Sequence, residues 1–194
     1  MMQPFTPDGD TYHVDDNIAL VQALERCAAA YRNRCDSNSC GDYPNPMWVR
    51  LYAASERLKQ AVQQNDVARE ILVIGSSLLG CDEMAVLELH GSSNLSLLAG
   101  SGMTAGRQQA LVANTAAIAS AIQAGQISIV NTDAPYSMWS ELGITAFVPV
   151  CNQGKPRGAI IFYQFLPQRS DLDLADRELL RLLSMFAGPS LFNR

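Results

Sequence analysis

The sequence predicts an α+β fold, a central antiparallel β-sheet of five or six strands flanked by N-terminal and C-terminal helices. Three observations point to it. Residues 144–150 and 158–165 are apolar runs rich in β-branched and aromatic side chains, separated by Asn152, Gln153, Gly154, Lys155 and Pro156. That pattern reads as a buried hairpin at the middle of a sheet. Residues 84–90 alternate, with Ala85, Leu87 and Leu89 on one face and Met84, Val86, Glu88 and His90 on the other, and residues 95–99 return across Gly91, Ser92, Ser93 and Asn94 as a second hairpin. The segments around these strands repeat apolar residues every three or four positions, the spacing of one helical face.

In chain order, residues 1–16 carry Pro4, Pro7 and Gly9 without periodicity and are expected to form a flexible arm. Residues 17–65 read as an N-terminal helical extension. Asn17 caps a helix whose face is Ile18, Val21, Leu24, Ala28 and Tyr31, ending near Arg34. Residues 35–46, CDSNSCGDYPNP, form a loop. A second helix begins near Pro46 with the stripe Met47, Leu51, Ala54, Leu58 and Ala61. Asn65 and Asp66 offer a break or a new cap before Val67, Ile71, Ile74 and Leu78 repeat the stripe, so one helix or two over 47–79 stays open.

Residues 66–194 form the main domain. Beyond the first hairpin, Gly100, Gly102 and Gly106 open a loop before an alanine-rich helix over 107–124, a short strand over 127–130 and the irregular NTDAPYSMWSELG. Asp173 caps a terminal helix with Ala175, Leu179, Leu182 and Phe186 inward and Leu180, Leu183 and Ala187 widening the stripe, and Gly188 and Pro189 are expected to end it.

Composition removes several functions. A length of 194 residues suits one domain with extra helices, and 48% hydrophobic with 17% charged residues is globular composition. A net charge of −5 with scattered Lys and Arg gives no basic stripe, so no nucleic-acid partner is expected. No apolar run approaches the roughly 18 to 20 residues of a membrane helix, and MMQPFTPDGD lacks the regions of a signal peptide. The expected setting is cytoplasmic, without a membrane partner. Five cysteines, Cys27, Cys35, Cys40, Cys81 and Cys151, are odd in number and unevenly spaced, which favours reduced thiols.

The order helix, strand, strand, helix, strand, loop, strand, strand, helix is carried by LLGCDEMAVLELHG, LSLLAGSG, ISIVNTDA, ITAFVPVCNQGKPRGAIIFYQF and DLADRELLRLLSMFA, over about residues 67–192. It resembles a GAF domain. The resemblance implies a GAF/PAS-like (profilin-like) sheet with a ligand pocket under loops on one side, a sensory role, and a homodimer formed through flanking helices. Departures from better-defined members argue against three specific roles. No Asn-Lys-Phe-Asp-Glu set of the cyclic-nucleotide-binding members can be picked out. No Cys-His pair of the bilin-binding members occurs, and residues 100–147 hold none of the cysteines used by free methionine sulfoxide reductases.

Candidate ligand-binding residues follow. Asp133, Tyr136, Met138 and Trp139 give the loop over 131–142 the mixture of aromatic and polar groups that a small-ligand pocket needs; the alternative is that Tyr136 and Trp139 only pin the loop to the sheet. Arg107, near the start of its helix, offers a cation to an anionic group, or is solvated. Glu88 and His90 form either a proton-sensitive spot or a solvent-facing strand end. Cys35 and Cys40 lack the paired spacing of a metal site. No Gly-x-Ser-x-Gly, P-loop or HExxH occurs, so no catalytic residue is assigned and no cofactor is indicated. The expected function is a non-catalytic regulatory domain that binds a small molecule or a signalling partner protein and transmits through its helices. Alternatives are a dimerisation scaffold with a vestigial pocket, and a redox enzyme using Cys35, Cys40 or Cys151.

Overall fold

Residues Gly158 to Tyr163 are buried without a break, which requires a strand covered on both faces. That strand is the centre of the molecule. The computed structural model describes residues 46–61, 63–130, 137–165 and 172–192, all within the compact unit Cys40–Arg194. The arm over 1–16, the helix from Asn17 and the loop cysteines Cys35 and Cys40 lie outside the described residues. The described elements are α1 (Pro46–Gln60), α2 (Gln64–Ile74), a π-helical turn (Gly75–Leu79), β1 (Cys81–His90), β2 (Asn94–Ser101), α3 (Ala105–Ala113), α4 (Thr115–Ala124), β3 (Ser128–Ile129), α5 (Met138–Glu141), β4 (Ala146–Asn152), β5 (Lys155–Phe165) and α6 (Leu174–Phe192).

The sheet order is β2-β1-β5-β4-β3, with every neighbouring pair antiparallel. Register pairs Val86 with Ile160 and Val148 with Ile160, so these side chains share one face, and strand alternation sends Ala85, Leu87, Phe147 and Ile161 to the other. The first face is covered by α1, α2 and α6. Leu51, Ala54 and Leu58 of α1, Val67, Ile71 and Ile74 of α2, and Leu179, Leu182, Leu183 and Leu191 of α6 are all buried. The second face packs under α4 through Ile118, Ala119 and Ile122.

Four local outcomes differ from or refine the sequence expectation. The chain over 47–79 is two helices, the first ending at Gln60 and the second beginning at Gln64, with the π-helical turn after it. The helix expected over 107–124 is also two, broken at Asn114 (φ −110, ψ 18), whose Nδ2 donates to Ala110 O at 2.9 Å; an asparagine side chain that bonds the preceding turn competes with helix continuation. The β4–β5 loop shrinks to two residues, Gln153 (φ 51) and Gly154 (φ 73), because Asn152 pairs with Lys155 and Cys151 with Pro156. Two consecutive positive φ angles match the right-handed strand twist, as in the type I′ hairpin turn.

The fourth outcome is a correction. Gly188 and Pro189 do not end α6, which runs through both to Phe192. Proline forfeits one helical hydrogen bond, but tertiary contacts keep this segment on β4. Ser184 Oγ donates to Pro149 O at 2.6 Å. Gly188 lies so close to β4 that a Cβ there would run into Cys151 O, and Leu191 beyond the proline is buried.

The start of α6 is fixed by charge. Asp173 Oδ1 accepts from Asp176 N at 2.8 Å and Asp176 Oδ2 accepts from Asp173 N at 3.1 Å, a reciprocal cap of the helix start. Asp176 Oδ1 meets Arg50 Nη2 of α1 at 2.6 Å, with the Asp176 side chain only 2% exposed, and the same nitrogen donates to Leu78 O in the π turn. One buried carboxylate thus ties α1, the π turn and α6 together.

Asp176→Ala strands the Arg50 guanidinium and removes the cap, so it is expected to cost about 3–5 kcal/mol of unfolding free energy in chemical denaturation. Gly188→Ala forces α6 away from β4 and is expected to cost about 1–3 kcal/mol in the same measurement.

Candidate functional site

Among the described residues, the face of the sheet beneath α3, α4 and α5 holds a polar group of residues within an apolar cluster. Its floor includes Ala85, Leu87, Phe147, Ala159, Ile161 and Tyr163, and Met103, Leu111, Trp139 and Leu142 pack against it from above. Strand parity puts Tyr163 there, two and four residues after Ile161 and Ala159.

Arg107 enters this face from the first turn of α3. Thr104 caps that helix, its Oγ1 accepting from Arg107 N at 3.2 Å. The side chain is only partly exposed, at 29%. It folds inward, with Cζ 4.7 Å from the centroid of the Tyr163 ring, and its Nη1 donates to Leu142 O at 2.8 Å. Gly143 makes this possible: at φ +64 it turns beneath the guanidinium, and a Cβ there would collide with Arg107. On the other side, Arg107 Nε lies 3.6 Å from Glu83 Oε2, an ion pair beyond hydrogen-bond length.

Among the described residues, two atoms of this group are buried and meet no hydrogen-bond partner, Glu83 Oε2 and Tyr163 Oη. Tyr163 as a whole is 4% exposed. Burial pushes its phenol up to about 12, with Arg107 opposing and Glu83 reinforcing the rise, so the ring carries a neutral hydroxyl that can both donate and accept.

The roof is built around α5. Ser137 and Ser140 form a capping box, with Ser140 N donating to Ser137 Oγ at 3.2 Å and Ser137 N to Ser140 Oγ at 3.1 Å. This sets Trp139 over the sheet, where its ring stacks on Phe147 at 4.4 Å and 19°. Ile144 N donates to Trp139 O at 2.7 Å, closing the roof onto the start of β4.

Of the sequence-derived candidates, the structure gathers Arg107 and Trp139 on this face. Met138, its neighbour on α5, is exposed. Asp133 and Tyr136 lie outside the described residues. Glu88 belongs elsewhere. Alternation turns it to the α1/α2/α6 face, where it is 7% exposed, accepts from Gln64 Nε2 at 3.0 Å and lies 3.8 Å from His90 Nε2 and 4.0 Å from Arg157 Nη2. It is neither a solvent-facing strand end nor a companion of Arg107. Sequence reasoning missed Glu83 and Tyr163. The available signal was parity, which sets a carboxylate and a phenol on the same apolar strand faces as Ala85 and Ile161.

The described thiols are poorly suited to attack. Burial pushes Cys81 up to about 11, its Sγ donating to Gln164 O at 3.0 Å, and burial also raises Cys151; a thiol must reach the thiolate to act as a nucleophile. Among the described residues, no three His, Cys, Asp or Glu side chains converge as metal ligands do, and no helix is long and apolar enough to cross a membrane.

The raised Tyr163 pKa has a definite sign. The folded chain holds the phenolic proton more tightly than the unfolded chain, so this contribution to stability is complete below pH 10 and is lost as pH rises from 10 through about 12. An absorbance titration of tyrosinate is expected to show one residue ionising near 12 that disappears in Tyr163→Phe, and the alkaline loss of stability is expected to be shallower in that variant.

Comparison with solved structures returns the same architecture. The GAF domain of an Acinetobacter phosphoenolpyruvate-protein phosphotransferase superposes with a TM-score of 0.59 at 14% identity, covering 78% of this chain and 96% of that one. The GAF domain of the corresponding Coxiella burnetii protein gives 0.54 at 13%, covering 76% and 93%. The bacteriophytochrome RpBphP3 of R. palustris gives 0.56 at 13%, covering 79% of this chain and 38% of that one. Likeness at these identities shows the fold alone. Among curated proteins none matches this chain. The family model described as GAF domain matches residues 64–191, from the first residue of α2 to the last turn of α6, and with the antiparallel sheet and its two helical covers this establishes that the chain belongs to the GAF domain family.

Proposed function

We propose that this chain is a non-catalytic sensory domain that binds a small molecule on the Arg107 face of its sheet and passes the bound state to a partner protein through α1 and α6. GAF domains occur in sensor and signalling proteins, which supports the regulatory part. The observation that carries the ligand part is the buried Tyr163 hydroxyl and the Glu83 oxygen, both without a hydrogen-bond partner, beside a guanidinium. Leaving such groups unpaired costs about 1–3 kcal/mol each, so a ligand that satisfies them gains up to that amount from each. A homodimer formed through the helical layer is part of the proposal, with Val49 and Val73 on the exposed sides of α1 and α2 as its apolar contacts.

A second reading has its own observation. Trp139 stacked on Phe147 fills space above the sheet, which favours a dimerisation scaffold whose pocket is vestigial.

Thermal unfolding of the full chain against a library of small metabolites separates the two. A ligand at about one hundred times its Kd is expected to raise Tm by at least about 5 °C, and Arg107→Ala is expected to remove most of that rise. No stabilisation by any member would leave the scaffold reading in its place.

A further inference from the structure

The group of Arg107, Glu83 and Tyr163 restricts the chemistry of what it holds. Glu83 Oε2, buried and without a hydrogen bond, is a carboxylate oxygen and only accepts, so the ligand must donate to it. Arg107 has given one of its five N–H groups to Leu142 O and only donates, so the ligand must offer an acceptor. The Tyr163 hydroxyl, 4% exposed as a residue and unpartnered, bonds to either kind of group. The two formal charges lie 3.6 Å apart at Nε and Oε2 and cancel. An anion drawn to Arg107 would therefore be pressed against Glu83, and a cation drawn to Glu83 against Arg107. Around this polar group the same cluster supplies Met103, Leu111, Trp139 and Ile161, which suit a small apolar body.

Building on the sensory reading above, we propose that the site recognises a small molecule, neutral overall, that carries an N–H donor beside an oxygen acceptor, the donor meeting Glu83 and the acceptor meeting Arg107. α-Amino acid zwitterions and uncharged carboxamides or ureas share this chemistry. Tyr163 bonds across the pair and holds the ligand's orientation, and the apolar cluster selects its side chain.

The test is calorimetric titration of the full chain with the common amino acids, acetamide and urea as probes, set against acetate, inorganic phosphate and methylammonium. At least one neutral probe is expected to bind. Glu83→Gln, which removes the charge but keeps the shape, is expected to weaken an amino acid by about tenfold or more and Tyr163→Phe by a smaller factor, with both variants compared by circular dichroism; Glu83→Asp gives the same readout if E83Q does not fold. N-acetylation abolishes binding if the source is an amino acid, whereas a carboxamide probe that binds without any charge identifies the other source. Binding of phosphate or acetate that Arg107→Lys removes would overturn this ligand class while leaving the sensory reading intact. Binding of methylammonium alone, or of a neutral probe with undiminished affinity in both Glu83→Gln and Tyr163→Phe, would also overturn it. If no probe binds, the class fails; the sensory reading then falls only if the metabolite library stabilises nothing as well.

Discussion

Because β5 is covered on both faces from Gly158 to Tyr163, every polar group of that stretch must find its partner inside the protein. Its backbone does so by pairing with β1 and β4, and Thr145 Oγ1 adds a 2.6 Å bond to Tyr163 O. The side chains of Gly158 to Phe162 carry no polar atoms. Tyr163 is the exception, and its ring would pack as well without the hydroxyl. Phenylalanine at that position would avoid an unpaired buried group altogether, so packing alone does not account for the oxygen. Glu83, on the adjacent β1, presents the same excess of polarity over what the core requires.

The two covers of the sheet differ in kind. The α1/α2/α6 layer is closed electrostatically as well as by apolar packing. The Asp176 carboxylate is taken up by a cap and by Arg50, and Glu88 at the sheet end is met by Gln64. On the α3/α4/α5 side the apolar cluster is supplemented by one carbonyl that accepts from Arg107, one stacked pair of rings and a serine box on a short helix. A binding face is drawn from the less constrained part of a fold, where local rearrangement is cheap. Here that is the side carrying Glu83 Oε2 and Tyr163 Oη, although Glu70 Oε2 of α2 in the other layer is likewise buried without a hydrogen bond among the described residues.

How much of this was legible depended on the range of the interaction involved. The hairpins, the stripes of α1, α2 and α6 and the acidic cap at Asp173 are written in spacing, which is local, and so is the order of elements that resembles a GAF domain. The division at Asn114 and the two-residue turn at Gln153 and Gly154 depend on how one side chain bonds its own turn and on a register that only the partner strand fixes. The continuation of α6 through Pro189 depends on Ser184 and Gly188 meeting β4, contacts between residues far apart in sequence. The site was harder still. Trp139 and Arg107 stand out by type, but Arg107 is drawn inside by Gly143 and Leu142, some 35 residues later. Glu83 and Glu88 are two of the three acids on β1. Which of them shares a face with Arg107 follows from parity against β5, and periodicity alone does not say which face the roof will cover.

The way β4 is shared has a mechanical consequence. Phe147 of that strand lies under the Trp139 ring, while two and four positions further along, the carbonyls of Pro149 and Cys151 are where Ser184 and Gly188 of α6 are seated. The roof and the terminal helix therefore touch the same short length of backbone, five residues from Phe147 to Cys151, with the register irregularity of β4 at Val150 and Cys151 between the Phe147 contact and the Gly188 seat.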